Sequence, residues 1–562
     1  MSMYFRKTKI VCTLGPASSD KKVIKSLIES GMNVARLNFS HGDEDTFESL
    51  ILTIRELSND IAILIDLPGP KIRTGKQLQK EIVLKKNSDI ILSNIKEFSD
   101  EKNIALDYKY LTKDVERNNL IFIDDGKIKL KVLYALNQNE LLCKIIKEGI
   151  LKTEKGVNFP NVSLSVPSVT ENDFKSLKFG AEHDVDMFAV SFVRKPDDIA
   201  EVKDFLEKNY SGKKFFIISK IEKAEAVENI YNIVEISDGI MVARGDLGVE
   251  TPVETIALKQ KLIIAAANSL KKPVITATQM LESMVSNESP TRAEVTDITN
   301  AILDGTDAVM LSEETAIGQY PDLAAAYMKK IIETTEESYF FKNLHHAAYN
   351  NAFAISYNFN AYSEHNYKNY KNIIDKQVQH IAPDNIVSNA CGVDNAPHSA
   401  DNLSLLLQVH GRGGCVSLSK ITSETGINTD NIISIASAKM AVSSSFMIED
   451  SFIAAITRTG YTASLISSFR PLVPIVAFVP DISVKRRLAL NQGVFSIVME
   501  KIAEKNVNIE EIIRFIKDNN KKIRNKKFKF GNNFKYAIIT GGLPLGELGS
   551  TDFVRIIDLR KD

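Results

Sequence analysis

The run Ser219-Lys220-Ile221-Glu222 sets an ammonium and a carboxylate two residues apart, and Ala243-Arg244-Gly245-Asp246 adds a second carboxylate further along. If the first run is a strand, alternate side chains leave one face, so Lys220 and Glu222 point the same way. Glu222 and Asp246 are hard oxygen ligands suited to Mg²⁺ or Mn²⁺. A lysine beside such a cation is what phosphoryl transfer calls for, because charge spreads over the transferred oxygens and must be neutralised. More charge and hydroxyl recurs in Arg36-Leu37-Asn38-Phe39-Ser40-His41, Asp66-Leu67-Pro68-Gly69-Pro70-Lys71-Ile72-Arg73, Thr276-Ala277-Thr278-Gln279 and Ser312-Glu313-Glu314-Thr315. Any one of these fits a rim salt bridge equally well. Together they favour a reaction centre.

Each of these segments ends a short apolar, β-branched run that follows a polar turn and precedes an amphipathic stretch. Eight such runs lie at 9–15, 33–39, 62–67, 186–193, 215–222, 239–247, 273–279 and 307–315, with helical patterns such as Lys21–Glu29 and Ile256–Ser269 between them. That rhythm predicts an α/β chain built on a (β/α)8 barrel, whose functional side chains gather at the C-terminal ends of the strands. The rhythm lapses between Thr74 and Val166 into short alternating pieces at 119–125, 126–133 and 140–147. A small β-barrel inserted after the third strand, placed to act as a lid, is expected there. The expected domains are therefore 1–73 with 167–342 as the barrel, 74–166 as the lid, 343–430 as a polar insertion and 431–562 as a C-terminal α/β domain. The insertion holds six of the eight histidines (His345, His346, His365, His380, His398 and His410), but their irregular spacing favours a polar segment over a metal site. Strands at 451–457, 474–478, 495–499 and 536–540 are expected beyond it.

With 562 residues, 44% of them hydrophobic and 25% charged, the chain has the balance of a multi-domain globular protein. Seventy basic against 71 acidic residues give a net charge of −1, which excludes a broad field for nucleic acid or an anionic membrane. Cys12, Cys143, Cys391 and Cys415 form no CxxC pair, which suits a reducing compartment. No signal-peptide core or membrane span is visible, so a cytoplasmic protein is expected.

The segments 8–17 (TKIVCTLGPA), 31–42 (GMNVARLNFSHG), 217–224 (IISKIEKA), 239–250 (GIMVARGDLGVE), 277–284 (ATQMLESM), 290–294 (PTRAE) and 307–321 (DAVMLSEETAIGQYP) resemble the pyruvate kinase family closely. The resemblance implies transfer of a phosphoryl group from phosphoenolpyruvate to ADP, giving pyruvate and ATP, with Mg²⁺ or Mn²⁺ held by Glu222 and Asp246. It implies Lys220 against the phosphoryl group, Arg36 on the phosphate, and the backbone of Ala243, Arg244, Gly245 and Asp246 on the carboxylate, near a helix N-terminus. Thr278 then lies where the enolate is protonated, with Ser312 and Glu314 in a proton relay. Asn38, Ser40, His41, Arg73 and Lys155 match nucleotide-site positions. A homotetramer is implied as well.

The chain departs from the potassium-dependent pattern Thr-Lys-Gly-Pro-Glu by reading Leu67-Pro68-Gly69-Pro70-Lys71. Leu67 offers no side-chain oxygen, and Lys71 brings an ammonium where that pattern has a carboxylate. Lys71 is therefore expected to replace K⁺; the alternative keeps K⁺ on Asn38, Ser40 and Asp66. Glu313, where the family usually has glycine, is a second departure. In the C-terminal domain, Thr457, Arg458, Thr459, Gly460, Tyr461 and Thr462 form a hydroxyl-rich turn able to cradle a phosphate. A facing loop is expected at 541–546 with Ser550 and Thr551. Relatives bind a sugar-phosphate activator in this region; a plain helix cap is the alternative. A carbon–carbon lyase and a silent sugar-phosphate sensor are the competing functions. Arg73, His41 and Lys155 argue against the first, and the Lys220, Glu222, Asp246 and Thr278 set against the second.

Overall fold

The computed structural model describes residues 5–78, 81–342, 429–503, 508–522, 534–542 and 551–561. The chain divides into two compact units, Thr8–Ile332 and Met1–Lys7 with Glu333–Asp562. The expected insertion at 343–430 falls almost wholly outside the described residues.

Eight parallel strands close a barrel in the first unit: β1 Lys9–Leu14, β2 Val34–Asn38, β3 Ala62–Asp66, β4 Met187–Val190, β5 Phe216–Ile221, β6 Gly239–Ala243, β7 Val274–Ala277 and β8 Ala308–Leu311. Every residue of β1, β3, β4, β6, β7 and β8 is buried. Strands covered on both faces read as continuous apolar runs, which is why they stand out in the sequence. The sequence pattern makes several of them too long, strands four, six and eight most of all. Strand six stops at Ala243, where the helix Arg244–Glu250 begins, and strand eight stops at Leu311, before the helix Glu313–Ala316. Barrel strands need only four to six residues here, so Asp246 and Glu314 belong to the helices beyond them, while Arg36, Asp66 and Lys220 stay on strands.

A repeated device closes the N-terminal end of the barrel. Asn33, Asp186, Asp238 and Asp307 directly precede β2, β4, β6 and β8. Their side chains accept the backbone N–H of Ile10, Ile63, Ile217 and Val274, at 2.8–3.0 Å. Their own N–H groups donate back to the carbonyls of those same four residues. Each odd strand is thus latched to the next even one at the end away from the charged loops.

Between β3 and β4 the chain forms a six-stranded sheet and two two-stranded ones. Its long hairpin, Ile128–Asn137 with Glu140–Lys147, carries three register irregularities that bend it. The sheets enclose a separate apolar core that includes Leu92, Ile121, Leu130, Leu151 and Phe159. Two chain segments tie this core to the barrel. Val157 N–H donates to the Ile72 carbonyl, Thr74 N–H to the Lys155 carbonyl, and Arg73 bridges Gly156. They form a short antiparallel ribbon.

The second unit holds a five-stranded sheet: β9 Ser451–Ile456, β10 Ile475–Val479, β11 Val494–Val498, β12 Tyr536–Gly541 and β13 Phe553–Asp558. The order is β11-β10-β9-β12-β13, with only β13 antiparallel. Separate apolar clusters cover its two faces. The edge strand β13 goes beyond the sequence expectation: it reads Phe-Val-Arg-Ile-Ile-Asp, and none of its six residues is fully buried. Cys12 and Cys143 are buried, and burial pushes the Cys143 thiol up to about 12. Among the described residues no helix is long and apolar enough to cross a membrane.

The latches should carry stability without touching chemistry at the opposite end. Asp307→Ala leaves the buried Val274 N–H unpaired, a loss of about 2 kcal/mol. Equilibrium denaturation should register that loss, with turnover unchanged.

Candidate active site

A single buried carboxylate organises the C-terminal mouth of the barrel. Asp66, the last residue of β3, is 1% exposed. Its Oδ2 takes Arg36 Nε at 2.8 Å and Nη2 at 2.7 Å, and its Oδ1 lies 3.0 Å from Lys220 Nζ. Arg36 Nη1 donates to Thr13 Oγ1 at 2.8 Å, leaving two of its five N–H groups for a ligand. Lys220 Nζ also donates to Ser191 Oγ at 2.7 Å and stands 2.8 Å from Glu222 Oε1. Burial alone would lower the lysine, but Asp66 and Glu222 more than offset it, so Lys220 is held well above its usual range. It is a fixed ammonium, not a base.

Glu222 is fully buried, and its Oε2 accepts the Phe192 N–H at 2.7 Å. Its Oε1 receives no hydrogen bond, since the approach of Lys220 falls outside hydrogen-bond geometry. Burial and the neighbouring Asp246 raise the Glu222 carboxyl to about 7 against the pull of Lys220. Asp246 acts on the buried Glu222 carboxylate, and a divalent cation would relieve that repulsion. Mg²⁺ keeps several waters and takes only one or two protein carboxylates, so Glu222 and Asp246 fit it as a donor set. Asp246 lies in the first turn of the helix Arg244–Glu250 rather than on a strand.

The opposite wall is built on strained backbone. Thr278 and Gln279 have φ of 63° and 56°, and Phe192 has 53°. For a β-branched threonine this is a clear outlier. Arg244 holds it: Nε donates to the Ala277 carbonyl at 3.1 Å, Nη2 to the Thr278 carbonyl, and Nη1 to Asp297 at 2.7 and 2.8 Å. The Arg244 side chain therefore braces the wall. Gly245 N–H donates to Thr278 Oγ1 at 2.8 Å. Glu314 is likewise turned to backbone, accepting from Leu281 N–H at 3.0 Å and Ser312 N–H at 2.6 Å. Ser312 Oγ is buried without a hydrogen bond among the described residues.

The nucleotide-site candidates line the other rim. Asn38 Oδ1 accepts the Ser40 N–H at 3.2 Å. His41 is exposed and lies in the field of Lys71, Arg73 and Arg36, which with partial burial lowers it below the usual histidine range. Lys155 Nζ lies 3.4 Å from Asp124 Oδ1, while Lys71 is exposed beside Gly156. Gly69 is required in its loop, because φ is +64° and a Cβ would meet Phe192 at 2.8 Å and Ser191 at 2.9 Å. Sequence reasoning misses Ser191 and Phe192, although they end strand four in the same way the other sites end theirs.

In the second unit, Thr457 Oγ1 accepts the Gly460 N–H at 3.0 Å and Thr459 Oγ1 the Tyr461 N–H at 3.4 Å. Gly460, at φ 95°, caps the helix Tyr461–Ser468. Thr462 and Thr551 hydroxyls meet at 2.8 Å, and Arg458 reaches the Ala503 carbonyl at 3.4 Å. Residues 543–550 of the expected facing loop lie outside the described residues.

A locked ammonium and an arginine beside carboxylates at the mouth of a (β/α)8 barrel suit an enzyme of the phosphotransferase class. Residues 5–325 match the family described as pyruvate kinase, barrel domain, and residues 434–557 match pyruvate kinase, alpha/beta domain. A pyruvate kinase of Staphylococcus saprophyticus is 36% identical over 556 residues, covering 98% of this chain and 80% of that one. One from Clostridium acetobutylicum is 34% identical over 558 residues, covering 98% and 99%. The crystal structure of a pyruvate kinase from Cryptosporidium parvum superposes with a TM-score of 0.76 at 29% identity, covering 99% of this chain and 96% of that one. The chain belongs to the pyruvate kinase family. It is an enzyme that transfers a phosphoryl group from phosphoenolpyruvate to ADP, and the family generally uses Mg²⁺.

Asp66→Asn should strand Arg36 and Lys220 without their shared counter-charge, costing about 3–5 kcal/mol. Burial raises Asp66, but Lys220 and Arg36 outweigh it and hold the carboxyl below 3.8. A depressed folded value means that this contribution is present above 3.8 and is lost as the pH falls through the folded value. The asparagine variant should therefore lack part of the wild-type acid dependence in unfolding titrations.

Proposed function

We propose that the transfer is carried out at the mouth formed by Lys220, Arg36, Glu222, Asp246 and Thr278, within a catalytic barrel at 1–73 and 167–342 under a lid at 74–166. The observation that carries this reading is Lys220 fixed between Asp66, Ser191 and Glu222 at 2.7–3.0 Å. A cation so placed needs no reorganisation as charge develops on the phosphoryl oxygens. The two remaining N–H groups of Arg36 bind the phosphate. The N–H groups of Gly245 and Asp246 meet the substrate carboxylate once Thr278 Oγ1 releases the first of them. Mg²⁺ at Glu222 and Asp246 would neutralise charge on the phosphate and carboxylate and orient both.

Thr278 and the unpartnered Ser312 hydroxyl deliver the proton to the enolate carbon through water; Glu314 positions Ser312 through its backbone. Arg73 and Lys155, on the ribbon between barrel and lid, take the nucleotide phosphates. Neutral His41, with Asn38 and Ser40, takes the rest of the nucleotide.

K⁺ is dispensable in this reading. Both Asp66 oxygens already face Arg36 and Lys220, and Asn38 Oδ1 holds the Ser40 amide. Lys71 brings its own charge to the same rim, where it acts on His41. The turn Thr457 to Thr462 takes a sugar phosphate as activator, supported by a helix N-terminus whose hydroxyls keep their protons to donate. The enzyme works in the cytoplasm as a homotetramer, which light scattering tests directly.

Pyruvate formation from phosphoenolpyruvate, ADP and Mg²⁺ should run at full rate without K⁺, and Lys71→Met should lower that K⁺-free rate. A wild type that needs K⁺ would refute the role of Lys71. Lys220→Met should reduce turnover roughly 10³-fold and also lower the thermal midpoint, because Asp66 and Glu222 stay buried without their ammonium. Near-normal turnover in that variant would refute the assignment of Lys220.

A further inference from the structure

Glu250 closes the helix Arg244–Glu250 and is 3% exposed, inside a cleft whose walls include Lys71, Phe159, Arg194 and Asp246. Its Oε1 accepts a hydrogen bond from Asn158 Nδ2 at 3.0 Å and pairs with the Lys223 ammonium at 3.0 Å. Each donor belongs to a different part of the unit. Asn158 ends the last strand of the inserted domain, Val157–Asn158. Lys223 directly follows Glu222 in the chain. Asp246 precedes Glu250 by four residues on the same helix, so the two carboxylates share a face one turn apart. One oxygen therefore ties the lid, the end of β5 and the helix that carries Asp246.

We propose that Glu250 is a positioning residue that sets the spacing of the Glu222 and Asp246 carboxylates and transmits to them the position of the inserted domain. This rests on the reading of Glu222 and Asp246 as the divalent-cation ligands. A seven-residue helix moves as one piece, so a displacement at Glu250 is a displacement at Asp246. Cation–oxygen distances tolerate only about 0.2 Å. The Lys223–Glu250 pair is buried, 11% and 3% exposed at the side chains, so water does not replace a lost partner cheaply. Glu222 is fixed from the other side by the Phe192 amide. That leaves the Asp246 helix as the adjustable half of the donor set.

The test is Mn²⁺ binding to the full chain, read as free Mn²⁺ by electron paramagnetic resonance, with turnover and thermal midpoint measured in parallel. Asp246→Asn should remove the tight Mn²⁺ site. Glu250→Gln should weaken Mn²⁺ roughly tenfold, and Asn158→Ala roughly threefold, with the Mn²⁺ KM rising while kcat at saturating metal stays within about threefold of wild type. Glu250→Gln removes the charge paired with Lys223 but keeps an oxygen able to accept from Asn158, so the double variant should be weaker than either single one. Asn158→Ala keeps the ion pair, so it carries the test if Glu250→Gln folds poorly. Unchanged Mn²⁺ affinity in both variants with a lowered thermal midpoint would overturn the proposal and leave Glu250 a structural brace. Intact Mn²⁺ binding in Asp246→Asn would instead overturn the ligand assignment beneath it.

Discussion

The Asp66 carboxylate, buried between a guanidinium and an ammonium, is the interaction on which the mouth depends. Its partners arrive from β2 and β5, and Ser191 joins from the end of β4. Those four strands are consecutive neighbours in the barrel. Their alignment is set by the ladder, Asn38 opposite Asp66 and Asp66 opposite Ala189. A one-residue slip would turn Asp66 to the other face and leave two buried cations unpaired. Such a network adds little net stability, since desolvation consumes most of the Coulombic gain. What it provides is position: both cations are held before any substrate arrives.

The two ends of the barrel divide the work. At the N-terminal end, four side chains latch odd strands to even ones through paired hydrogen bonds, and the buried N–H groups they meet are satisfied. At the C-terminal end, Phe192, Thr278 and Gln279 sit at positive φ, and Glu222 Oε1 and Ser312 Oγ are buried without hydrogen bonds among the described residues. Strain of this kind, of order 1–3 kcal/mol per residue, persists only where the surroundings over-determine it. Arg244 supplies that for Thr278, and Gly69 makes room for it at Phe192.

The barrel is legible in the sequence because strands buried on both faces write themselves as apolar runs and each is followed by a helix. Lys220 and Glu222 are legible because a strand has period two. Asp246 is harder. The run ending in Ala243-Arg244-Gly245-Asp246 looks like strand throughout, and only the geometry shows that backbone hydrogen bonding turns helical at Arg244. The roles of Arg36, Arg244 and Glu314 are obscured for a different reason. A sequence gives the donor or acceptor but not its partner, and here much of each group's capacity is committed to Asp66, Asp297 or backbone amides. Ser191 is readable in principle, since strand four ends by the same rule as the rest. Glu250 carries no signal, because both of its partners are remote from it in sequence. The edge strand β13 is apolar enough to be readable, but Arg555 interrupts its run and no helical stretch follows it among the described residues.

The charges at the mouth fall into two sets with different freedom. Lys220, Arg36 and Asp66 are almost fully buried, and exchanging one partner would cost several kcal/mol. Lys155 is different: its side chain is 34% exposed and its contact with Asp124 is 3.4 Å, a pair worth at most about 1 kcal/mol. A nucleotide phosphate can take Lys155 from Asp124 at small cost, whereas none can take Lys220 from Asp66. The exchangeable cations Lys155 and Arg73 sit on the ribbon that joins the inserted domain to the barrel. A polyanion drawn to them pulls on the element that would move a lid, while the charges that must stay fixed for chemistry are anchored in the barrel wall. In the proposed reading, the weak Lys155–Asp124 pair on the ribbon and the strong pairs on the strands would let one site both close and remain preorganised.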